Sequence, residues 1–164
     1  MSDSKKIRGM VTLILTDVKT GRVKRMQRHN LVTNNGEGWI AKRMIKTGVA
    51  GHSATGMEWI EVGKGSALAT ATNTNLQTTV IVTGVRRVYT TQDRSGATWN
   101  IIVNFLTSHG NTAGLKEAGI FGTSLRASAA APGMLARTTF SAVNKTNADT
   151  LKIQWQINVA DDGV

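Results

Sequence analysis

Residues Leu151–Val159 alternate without a break: Leu, Ile, Trp, Ile and Val at one parity, Lys, Gln, Gln and Asn at the other. A period of two sorts side chains onto the two faces of a β-strand and cannot be sustained on a helix. Such a strand needs a sheet with one apolar face, so the chain is committed to a β-rich core. Met10–Thr16 reads as another strand, and Trp99–Leu106 places Trp99, Ile101, Val103 and Phe105 on one face. Further strands are predicted at 22–29, 57–62, 76–89 with a bend at Gly84, 116–121 and 134–140. Asp17–Gly21 carries hairpin-turn chemistry, and Gln92–Gly96 reads as a tight turn. One helix is predicted near residues 36–47, where Trp39, Ile40, Met44 and Ile45 share a face. Asn34 or Asn35 would cap it and Gly48 would stop it. Seventeen glycines and one proline suit a fold with many turns. The fold class is therefore mainly β, a two-sheet antiparallel sandwich, jelly-roll-like, spanning residues 10–164 as one domain behind a basic arm at 1–9.

Charge is the second constraint. The formal net charge is +10, and residues 1–46 carry 11 of the 20 Lys and Arg against 3 acids. Within that quarter Arg22, Lys24, Arg25 and Arg28 crowd one strand. Alternation puts Arg22, Lys24 and Arg28 on one face and Arg25 on the other. Together with Lys5, Lys6 and Arg8 of the arm, they are the candidate partner-binding residues. One reading is a docking face for an acidic partner. The other is a solvated edge strand whose charges discourage edge-to-edge pairing. An arm of this kind is expected to order on binding.

Nothing in the sequence calls for catalysis, a metal or a cofactor. With no cysteine, disulfides, thiolate zinc sites and thiol nucleophiles are excluded. His29, His52 and His109 are far apart and form no close-spaced ligand motif. Gly63-Lys64-Gly65-Ser66 has Trp at 59 and Gly at 65, where a phosphate loop needs Gly and Ser or Thr. It reads instead as a strand-ending turn. Glu58 and Glu61 fall on opposite faces of their strand, the wrong arrangement for shared acid–base work. The four tryptophans sit among apolar neighbours, as core residues do, and the basic strand holds no aromatic on which a nucleobase could stack. No apolar run approaches the ~18 residues of a membrane span, and no signal-peptide pattern follows the start. A protein without membrane attachment, made in the cytoplasm, is expected.

The order of motifs resembles that of small virion structural proteins of tailed bacteriophages. The resemblance is carried by Val11–Asn34, by Trp59–Gly65, by Lys116-Glu117-Ala118-Gly119-Ile120-Phe121, by Leu135–Phe140 with Val143 and Lys145-Thr146, and by the closing strand with Trp155. It covers about Val11 to Val159. These motifs are structural and bring no catalytic residue. The resemblance implies a virion location after assembly in the host cytoplasm. It also implies a role as capsid cement or decoration subunit, or as a neck, tail or baseplate part. The expected partners are the major capsid protein or other virion proteins, and a second or third copy of the chain. Binding to nucleic acid through the positive charge is the remaining reading.

Overall fold

Strand β9 (Asp149–Asn158) is paired along its length with β1 (Arg8–Asp17) on one side and β6 (Thr98–Phe105) on the other. Directly opposed residues share a face, so the register sets up rows across the three strands. Val11, Trp155 and Ile101 form one row, and Leu13, Ile153 and Val103 the next, all at most 1 % exposed. Leu15, Leu151 and Phe105 form a third. The alternation of residues 151–157 thus supplies the middle of the core. These strands belong to a computed structural model that describes residues 7–44, 56–122 and 133–158.

The remaining strands are β2 (Val23–Val32), β3 (Trp59–Gly63), β4 (Arg86–Val88), β5 (Thr91–Ser95), β7 (Thr112–Phe121) and β8 (Met134–Lys145). All nine form one antiparallel ladder in the order β4-β3-β7-β8-β2-β1-β9-β6-β5. Its two end strands are consecutive in the chain. Tyr89 N donates to Glu58 O at 3.0 Å, and Thr90 N donates to Ile102 O at 2.7 Å. The chain therefore crosses from one end of the ladder to the other within two residues, which requires the sheet to curl. The result is a half-barrel around one core. Tyr89 packs edge-on against Trp99 at this crossing, with ring centroids 5.8 Å apart.

The mainly β, antiparallel reading holds, with one helix among the described residues. The two-sheet jelly roll is not what the pairings describe, because β2 and β8 link both halves into one ladder. Of the long strand expected at 76–89, only 86–88 is strand, since Gly84 takes a positive φ of 71° and turns the chain. The tight turn expected at 92–96 is instead β5, with the reversal at Gly96 (φ 58°). Arg8 and Gly9, assigned to the arm, are strand residues.

Helix α1 (Asn34–Met44) is capped by Thr33 and not by the asparagines. The Thr33 hydroxyl accepts from Gly36 N at 3.1 Å and donates to the carbonyl of Met134, tying the helix start to β8. The expected stop at Gly48 lies outside the described residues.

A second packing layer lies on the outer face of β3, β7 and β8. There Leu76, from the connection between β3 and β4, meets Phe121, Met134 and Trp59.

Two glycines test this packing with opposite signs. A Cβ on Gly9 would overlap the Asn30 side chain and the Gln156 carbonyl oxygen, whereas one on Gly38 in α1 meets nothing. Gly9→Ala is expected to cost about 1–3 kcal/mol through overpacking. Gly38→Ala is expected to add roughly 0.4–1 kcal/mol by restricting the unfolded chain. Urea midpoints of the two variants check both signs.

Candidate functional site

The basic strand follows a well-built hairpin. Asp17 Oδ1 accepts from Lys19 N at 2.9 Å and Thr20 N at 3.0 Å, and Gly21 takes the positive φ that the return requires. The amide of Thr20, ahead of that of Lys19, holds the Asp17 carboxyl below its usual pKa, since both bonds favour the charged form.

From this turn β2 pairs with β1 without a bulge, Val23 opposite Thr16 through Leu31 opposite Arg8. The three apolar rows of the core extend onto β2 and end there as Arg28 beside Val11, Met26 beside Leu13, and Lys24 beside Leu15. Two of the three rows therefore terminate in a cation. The cause is the next neighbour. β2 pairs with β8 only at Leu31–Arg137 and Val32–Ala136, so from Val23 to Asn30 nothing continues the ladder.

The structure brings Arg22, Lys24, Arg25 and Arg28 together along this open edge, all exposed. Lys24 and Arg28 lie on the inner face. Arg25 lies on the outer face, opposite Ile14 and in register with Lys152. No ion pair involves the four among the described residues. Arg28 donates to Gln27 O at 2.7 Å and Ser141 Oγ at 3.3 Å, laying its guanidinium across the gap toward β8. At the hairpin end a concavity of about 490 Å³ is lined by Leu15, Asp17, Arg22, Val23, Lys24 and Asp149. Asp149 is committed to its own turn, accepting from Thr146 N and Oγ1. Arg8, by contrast, pairs with Leu31 and Asn158 at the opposite end of β1 from Arg22. Lys5 and Lys6 lie outside the described residues.

Sequence reading missed the buried charges. Glu117 and Arg137 are both fully buried on the outer face of β7 and β8, 2.9 Å apart. The Glu117 carboxylate also accepts from Gly65 N at 2.7 Å, Thr78 N at 2.8 Å and Gln77 N at 3.0 Å. Arg137 donates to the carbonyls of Ala67 and Leu68 and to Asn73 Oδ1. The pair therefore pins residues 65–78 onto the sheet. Gly63 and Gly65 are glycines because a Cβ at either would sit 2.7 and 2.6 Å from Glu117 Oε1. This is the physical content of the Gly-Lys-Gly turn: the Glu117 carboxylate fills the space that side chains at 63 and 65 would need.

A second buried pair, Arg86 to Glu61 at 2.6 Å, lies two strands away, with the guanidinium stacked over Phe121. Lys145 is buried too, donating to Leu106 O and Asn111 Oδ1, and burial pushes its pKa below the usual lysine value.

His109 accepts from Leu106 N in a loop, and burial, then the charges of Arg87 and Lys145, hold its pKa below the ordinary histidine value. His29 is exposed and His52 lies outside the described residues. No group of three potential metal ligands is found among the described residues. No helix among them is long and apolar enough to cross a membrane. Comparison with protein-family models, curated proteins and solved structures finds no match.

The Glu117–Arg137 pair makes a direct prediction. Glu117→Gln leaves a buried guanidinium without its counter-charge and is expected to cost about 3–5 kcal/mol. Hydrogen exchange at the amides of Gly65, Gln77 and Thr78 should accelerate in the same variant. Replacing both partners by leucine should recover part of the loss, which denaturant unfolding of the single and double variants checks.

Proposed function

We propose that the chain is a non-enzymatic structural protein of a bacteriophage virion, a capsid cement or decoration subunit that binds and stabilises the assembled shell. The observation that carries the reading is the open edge of β2. Four exposed cations stand there, while the buried Glu117, Arg137, Glu61 and Arg86 in the opposite half of the ladder are bonded to one another or to the backbone. A surface of that kind suits an acidic protein neighbour. The virion setting rests on the sequence resemblance described above.

The mechanism is linkage. A subunit that binds the assembled shell and not its dissociated parts stabilises the shell by mass action. Many copies bound around a symmetric particle multiply a modest single affinity. A dimer or trimer of the chain would fit such a lattice. A neck, tail or baseplate position is the second reading, and it would use the same edge with far fewer copies. Net charge alone supports nucleic-acid binding. That reading demands an affinity whose logarithm falls by ~0.9 per neutralised phosphate for each decade of salt.

Quantitative mass spectrometry of purified particles against the major capsid protein is the decisive measurement. A simple ratio such as one-to-one or one-to-three is expected for a shell subunit. A few copies per hundred would move the protein to the neck or tail, and absence from particles would overturn both. The edge is tested by Lys24→Glu with Arg25→Glu. These exposed positions should leave folding stability within about 0.5 kcal/mol. Binding to particles lacking the protein should weaken by at least roughly tenfold at low salt. Unchanged binding removes β2 from the contact.

A further inference from the structure

We propose that β2 docks its partner by strand addition. An extended, acidic segment of the partner pairs its backbone with the open edge at Val23, Arg25 and Gln27 and continues the ladder where β8 does not. This deepens the docking role proposed for β2 and rests on it.

The backbone phase of the hairpin decides which groups are free. Asp17 N donates to Arg22 O at 2.9 Å, so Arg22 directs its carbonyl toward β1. In an unbroken antiparallel register this alternates. Residues 24, 26, 28 and 30 bond to β1, and residues 23, 25, 27 and 29 direct N–H and C=O to the other side. Two of the outward carbonyls confirm the phase. His29 O accepts from Thr138 Oγ1 at 2.8 Å, and Gln27 O accepts from Arg28 Nη1 at 2.7 Å. Toward the hairpin, the N–H groups of Val23, Arg25 and Gln27 and the carbonyls of Val23 and Arg25 face away from β1, where β8 no longer pairs.

Such a row is a ready template for another strand. The side chains specify which strand. Val23 is 56 % exposed, and Met26 lies on the inner row between Lys24 and Arg28. An added strand would set one parity of its side chains beside Lys24 and Arg28, near the concavity floored by Leu15, and the other beside Arg25. Carboxylates at both parities would meet cations. The end strand β5, exposed throughout, reads Thr-Gln-Asp-Arg-Ser and balances its charges, so it offers no such preference.

The probe is a short synthetic peptide alternating valine and glutamate, with the same peptide N-methylated at alternate residues as control. N-methylation keeps the charge and removes the strand-pairing donors. Hydrogen exchange by NMR on the full chain should slow at Val23, Arg25 and Gln27 by about tenfold or more on binding. Lys24 and Met26, already bonded to β1, should stay unchanged, and the N-methylated peptide should bind at least about tenfold more weakly.

Gln27→Pro removes one outward donor without altering charge and should abolish the protection, while Gln27→Ala should retain it. Equal binding of both peptides, or binding without the alternating protection, would overturn strand addition and leave a purely electrostatic dock. No binding at low salt would overturn it as well. Protection that grows with protein concentration in the absence of peptide would replace the acidic segment by a second copy of the chain. The docking role itself fails on a different result, unchanged particle binding by the charge-reversed variant.

Discussion

The layer that residues 65–78 lay on the outer face of β7 and β8 depends on one carboxylate. Glu117 is fully buried, and an unpaired buried charge costs several kcal/mol, so its site exists only if every lone pair finds a donor. Arg137 and three backbone amides supply them, and those amides lie in the connection from β3 to β4. The ion pair thereby converts a polar, low-complexity stretch of Ala, Thr and Asn into a fixed layer. That layer in turn covers Leu76, Phe121 and Met134. It also fixes the approach to Arg86–Ser95, the segment that joins the two ends of the ladder. A hydrophobic pair could fill the same volume, but it could not hold amides and carbonyls on both flanks. The charges set where the loop lies more than how stable the sheet is.

Period-two patterns were legible where long strands pair in unbroken register around the core. β1, β6 and β9 pair at length around the core, so Val11, Leu13 and Leu15, Trp99 to Phe105 at every second residue, and Leu151 to Ile157 at every second residue are apolar; only β9 is polar at every other position, since Met10, Ile14 and Ile102 break the outer faces of β1 and β6. The pattern failed at residues 76–89, where Val80, Val85 and Leu76 are apolar because they tuck under or beside the sheet as loop residues, not because they alternate on a strand. It failed again at β5, whose residues are all exposed and carry no apolar parity to detect. Single-ladder closure was invisible for a related reason. The crossing at Tyr89–Thr90 is made by two backbone bonds, and backbone bonds leave no mark on side-chain composition.

The candidate site divides the same way. The face assignment of Lys24, Arg25 and Arg28 follows from alternation alone, and the structure places them accordingly, while Arg22 precedes β2 in the turn. Arg8 was grouped with them by proximity in charge, yet the hairpin carries it to the far end of the strand. Glu117 and Arg137 were read only as parts of strand motifs. A sharper signal was present: each sits in a run of apolar and small residues, Lys116–Phe121 and Met134–Phe140, and a charge inside such a run demands a partner in space. The adjacent Gly119, across the ladder from both Glu61 and Arg137, is the same signal seen from the backbone.

The two readings of the basic strand, edge protection and docking, are usually set against each other. At β2 the proposed docking would rest on the same charges that protect the edge. An unpaired edge lined with like charges repels a second copy of itself and any neutral strand that lacks compensation. On the proposed strand addition such an edge would discriminate against the many extended segments that could pair with any bare edge, and favour those whose carboxylates match the cations at both parities. The selectivity needs a rigid edge, since a mobile one would lose the phase between backbone donors and side-chain charges. β2 is backed by β1, which pairs with β9 on its other side through ten consecutive residues. The interior alternation that commits the chain to a β-fold is thus also what would hold the proposed docking edge in register.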